Sequence, residues 1–125
     1  MAGGLKTTFL VHMVVALVFG LLMFLVPALW GSLVGYNVAD PTITRLAGAA
    51  MLALALSSWL GSRADRWETV HIVVQMEIVF TVLAALAVLY GLFFEGAPAF
   101  GWVAFILFAA FAAAWVFFFL KLRAA

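Results

Sequence analysis

Apolar residues fall in four long runs, separated by three short polar stretches. The runs are Phe9 to Trp30, Ile43 to Leu60, Val70 to Phe94 and Phe100 to Leu120. Within each run the apolar positions are continuous, not alternating. Each run is also too long for a transmembrane β-strand of about 9–11 residues and close to the ~20 that a spanning helix needs. In lipid a helix satisfies its backbone groups internally. The pattern therefore predicts an all-α integral membrane protein with spans at 9–30, 43–60, 70–94 and 100–120.

The connecting stretches agree. Gly31 to Thr44 reads as a loop rich in Gly, Asn, Asp and Pro, and Asp40-Pro41 supplies a cap acceptor followed by a residue with φ pre-set for a first turn. Gly61 to Thr69 is a compact polar turn, and Glu95-Gly96-Ala97-Pro98 separates the last two runs. Pro27 falls near the end of the first run, where a missing backbone hydrogen bond is tolerable. That run has 22 residues, against roughly 7–15 for the apolar core of a signal peptide. It reads as a retained helix. Short loops predict one four-helix domain of antiparallel neighbours, an up-down bundle.

Composition narrows the class. Of the 125 residues 70% are hydrophobic and 9% charged, more apolar surface than a small soluble globule can hide. The net charge of +1 and the absence of a dense basic patch argue against nucleic acid as a partner. No cysteine is present, which excludes disulfides, thiolate metal sites and thiol catalysis. No phosphate-binding loop or HExxH motif occurs, so no catalytic residues are assigned and the chain is read as not an enzyme.

Charge also orients the spans. With four spans, the N-terminus, the second loop and the C-terminus share a side carrying Lys6, Arg63, Arg66, Lys121 and Arg123, whereas the other carries only Arg45. The positive-inside rule puts both termini in the cytoplasm, and the expected location is the cell inner (cytoplasmic) membrane. Trp59, Trp67 and Trp115 toward one side, and Trp30, Tyr36 and Trp102 toward the other, fit interfacial aromatic belts.

The candidate chemistry is sparse and clustered. Glu77, in the third run with His71 and Gln75, is a carboxylate inside a spanning segment, which is expensive and a functional candidate by default. His12 in the first run and Ser57 and Ser58 in the second fall at a similar depth. Glu77, His71, Gln75 and His12 are thus candidates for ligand binding or proton relay in the inner third of the bundle. At 100° per residue, Glu77 lies about 120° round its helix from His71, so the two need not face the same gap. Thr8, His12, Ala16 and Gly20 form a stripe of mostly small residues on the first helix. On the second, Arg45, Ala49, Ala53, Ser57 and Gly61 predict a matching stripe, with Ser57, Ser58 and Arg45 as packing residues and Arg45 also an interfacial anchor. Phe105, Phe108, Phe111, Trp115 and Phe118 recur at helical spacing and read as a core or lipid-facing stripe.

Three functions are compatible with this pattern. The first is a non-enzymatic accessory or structural subunit, or a bundle binding an apolar ligand such as a lipid or quinone. The second is a dimeric proton- or cation-coupled small transporter using Glu77, with His12 or His71 as relay. The third is a b-type haem bundle ligated by His12 and His71; no other metal site is expected, and no cofactor is otherwise identified. Four short helices with a lone membrane carboxylate resemble the small multidrug exporters, which work as dimers with an essential glutamate. Their glutamate lies on the first helix, whereas Glu77 lies on the third. The expected partners are the bilayer itself and further copies or a larger membrane complex.

Overall fold

The computed structural model describes residues 2–124. Five α-helices follow one another: α1 (Gly3–Leu25), α2 (Pro27–Val34), α3 (Pro41–Ser62), α4 (Trp67–Phe94) and α5 (Phe100–Leu122). No strand occurs among the described residues. Helices α1, α3, α4 and α5, of 23, 22, 28 and 23 residues, are long and apolar enough to cross a membrane. At ~1.5 Å per residue each exceeds a hydrocarbon core of roughly 30 Å.

The first run is not one helix. It breaks at Val26, whose φ of −135° and ψ of 63° leave the helical region, and Pro27 opens α2. A proline cannot donate to the carbonyl four residues back, its ring collides there, and it pushes the residue before it away from helical geometry. Pro27 is favourable as the first residue of a new helix, and it is buried together with Gly31 and Val34. Gly35 ends α2 with φ of 82°, a left-handed conformation that glycine adopts freely. Residues expected in the first loop are thus helical as far as Val34.

Other helices begin earlier than the apolar pattern alone indicates. Helix α1 starts at Gly3, and the Thr7 and Thr8 hydroxyls donate to the Gly3 and Gly4 carbonyls at 3.1 and 2.9 Å. Those bonds satisfy polar side chains within the helix. Helix α3 starts at Pro41, where the Asp40 carboxyl accepts from the Thr42 N–H at 2.9 Å. Asp40→Ala is expected to lower stability by about 0.5–2 kcal/mol, measurable as a fall in Tm in detergent.

The helices associate as two close pairs. In the α1–α3 pair the Phe9 ring lies against Gly61, Gly20 lies against Leu52, and Gly48 lies against the Phe24 backbone. These contacts run in opposite order along the two helices. The α4–α5 pair is joined by Trp67 with Phe119, Phe80 with Phe108 and Phe93 with Trp102, at ring separations of 6.0, 5.9 and 5.9 Å. Between the pairs, contact is sparse. It concentrates in a cluster of Leu5 and Phe9 from α1, Val70 and Val74 from α4, and Trp115 from α5. Beyond that cluster the pairs meet again at the other end, where Phe19 and Trp30 face Phe100 at ring separations of 6.3 and 6.0 Å. A cavity of about 310 Å³ opens between them, reaching from His12 to Trp30 and Tyr36.

Candidate functional site

A polar node sits where the two pairs meet. His12 is buried on α1 because Leu5, Phe9, His12, Ala16 and Gly20 share its inward face. His12, Ala16 and Gly20 fall on it as the spacing by four predicts, whereas Thr8 is only half-buried. Ser58 on α3 and Glu77 and Thr81 on α4 are fully buried, and His12 is 3% exposed.

The node has a definite geometry. His12 Nδ1 and Ser58 Oγ are 2.7 Å apart, and His12 Nε2 lies 3.5 Å from Glu77 Oε2. The first is a short hydrogen bond; the second is an ion-pair distance too long for a good one. A hydroxyl hydrogen donated by Ser58 to Nδ1 leaves the ring's hydrogen on Nε2, directed at the carboxyl group. Thr81 donates to the Glu77 backbone carbonyl at 2.7 Å. The Thr81 hydroxyl thus reinforces the helix beside the carboxyl group without touching it.

The surroundings are aromatic. The Phe111 and Trp115 rings approach the His12 ring edge-on, at centroid separations of 4.8 and 5.7 Å. Both Glu77 carboxyl oxygens and Trp115 Nε1 are buried without a hydrogen bond to any described residue. Buried polar atoms are nearly always paired, so these mark the node as energetically costly.

The sequence candidates divide into two groups. His12, Glu77 and Ser58 converge. Ser57, one residue along, is half-buried and donates to the Leu54 carbonyl at 2.9 Å. The buried face of α3 contains Gly48, Leu54, Ala55, Ser58 and Gly61. The stripe expected through Arg45, Ala49, Ala53 and Ser57 is therefore corrected: Arg45 and Ala53 are exposed, and Ala49 and Ser57 are only half-buried. Small residues recur too often on α3 for spacing alone to select the face. His71 is half-buried, with its ring 6.1 Å from Trp67, and Gln75 is exposed. Neither belongs to the node.

The cavity was not foreseen. It is lined largely by residues read as bulk, among them Phe19, Ala50, Phe100 and Ala104, with His12 contributing at one end. A usable signal was present in Phe100, Ala104, Phe108 and Phe111, spaced by four, four and three along one face of α5. No group of three or more His, Cys, Asp or Glu side chains that could hold a metal ion occurs among the described residues.

The chain matches no family model, no curated protein and no solved structure. Its class therefore rests on the fold and the node: an all-helical chain with four helices compatible with a membrane bundle, pinned by a buried His–Glu contact.

Proposed function

We propose that this chain is a non-enzymatic integral membrane protein that binds an apolar ligand, a lipid or quinone tail, between its two helix pairs. In this reading it is an up-down bundle in the cell inner membrane with both termini cytoplasmic. The opposed contact order within each pair and the basic residues near Lys6, Arg63 and Lys121 favour that arrangement. The observation carrying the functional reading is the cavity of about 310 Å³. It is apolar, aromatic-walled and placed between helices, as sites for hydrophobic ligands are. Trp30 and Tyr36 line one end and His12 the other, and the surface between them is almost wholly apolar.

The test is saturable quenching of tryptophan fluorescence by a short-chain quinone in detergent-purified protein. Wild type is expected to bind. Ala50→Phe with Ala104→Phe, both lining the cavity, is expected to weaken binding by about ten-fold or more, a loss of ~1.4 kcal/mol. Equal quenching of both proteins contradicts a ligand in this cavity.

A second reading, proton-coupled transport through Glu77, is favoured by a different observation: a fully buried carboxyl group with no hydrogen bond to a described residue. The haem reading has no comparable support. Both His12 nitrogens face protein partners, and the ring of His71 packs near Trp67.

A further inference from the structure

Gln75 is a polar side chain in the wrong place for a lone bundle. It is the ninth residue of the 28-residue α4. With ~1.5 Å per residue and roughly 30 Å of hydrocarbon, it falls about 6 Å inside the apolar layer. It is exposed there and has no hydrogen-bonding partner among the described residues. Its amide holds two donors and an acceptor, and unsatisfied polar groups in lipid are costly.

The residues around it form a seam. Ile72, Val79, Leu86 and Phe93 recur every seven residues and are 67%, 59%, 57% and 64% exposed. Gln75, Val82 and Leu89 recur every seven in the intervening positions, with Gln75 and Val82 exposed and Leu89 half-exposed. These are a/d positions on an exposed face of α4, and where helices pair a single polar residue at such a position fixes register and partner number.

We propose that α4 pairs with α4 of a second copy, joined by Gln75 amides bonded across a twofold axis. The occupant follows from symmetry. Two copies inserted the same way are related by an axis normal to the membrane, so a residue on that axis meets itself at the same depth. A carboxylate or ammonium there repels its twin; an amide donates to and accepts from it. This inference rests on the membrane-spanning part of the reading above and is independent of the ligand cavity.

The chain has no cysteine, so single-cysteine variants carry one unique thiol. Oxidation in isolated membranes is expected to give disulfide-linked dimers for Ile72→Cys, Val79→Cys and Val82→Cys. Leu21→Cys on α1 and Leu46→Cys on α3, also exposed, are expected not to link. Adding Gln75→Leu to Val79→Cys is expected to weaken dimerisation roughly 3- to 30-fold, with Gln75→Asn partly restoring it. Gln75 is outside the core, so folding is preserved, as an unchanged Tm of the monomer verifies. Protein in isolated membranes that links nowhere on α4, links equally at Leu46→Cys, or is indifferent to Gln75→Leu overturns the dimer. Recovery of the protein outside the membrane fraction overturns the membrane reading as well.

Discussion

Gly48→Leu is expected to abolish folded protein in detergent, and Gly48→Ala to lower stability by about 1–3 kcal/mol, the usual range for overpacking. A Cβ at this position would lie 2.7 Å from the Phe24 nitrogen and 3.0 Å from both the Gly20 oxygen and the Met23 carbonyl carbon. All three are backbone atoms of α1, so no side-chain rotation relieves the collision. The loss should appear even though alanine favours a helix over glycine by up to ~1 kcal/mol. Gly101 provides the internal comparison. The three atoms nearest its Cβ would all belong to the Leu92 side chain, from 2.8 Å, and that side chain can move. Gly101→Ala should therefore cost less than Gly48→Ala, read as the ordering of their Tm values. Equal Tm values would contradict backbone-to-backbone contact between α1 and α3.

The second large effect is expected at the polar node. His12→Leu removes the Ser58 bond and leaves the fully buried Glu77 without its facing imidazole. Removing the imidazole leaves the buried Ser58 hydroxyl and Glu77 carboxyl group without it, at about 1–3 kcal/mol for each unpaired group. Adding Glu77→Leu should recover the carboxyl group's share of that loss, giving a strongly non-additive double-mutant cycle. Glu77→Gln retains shape and an acceptor for Nε2, and should cost much less than His12→Leu. It also separates the two functional readings: ligand quenching should survive Glu77→Gln, whereas proton-coupled uptake of a cation would be abolished. Additive losses in the His12–Glu77 cycle would show that the 3.5 Å contact is incidental.

The long helices were legible because bilayer-length apolar runs leave few alternatives. The polar breaks also read correctly: Asp40 caps α3 and Gly96 turns the chain with φ of 67°. The first run reads as one span with a tolerable proline near its end, whereas Pro27 starts a helix more readily than it continues one. Hence α2 was hidden inside an apolar run. On α1, His12, Ala16 and Gly20 marked the contact face because bulky residues occupy the other positions. On α3, with Ala47, Ala49, Ala50, Ala53 and Ala55 all small, spacing could not choose between faces, and Gly48 and Ser58 had to be located by packing. The meeting of His12 and Glu77 was legible only as shared depth. Which side of α4 turned inward depended on tertiary contacts at Val70 and Val74. The cavity depends on how the two pairs meet on either side of it, at the Trp115 cluster and at Phe100, a property of no single segment.

The most direct measurement is a native mass spectrum of the protein extracted from its membrane in mild detergent, with an absorption spectrum taken on the same sample. Wild type should carry a bound lipid or quinone mass that the Ala50→Phe, Ala104→Phe variant has lost while its Tm stays close to that of wild type. Protein without bound mass, or a bound mass unaffected by filling the cavity, would contradict the proposal that this bundle exists to hold an apolar ligand.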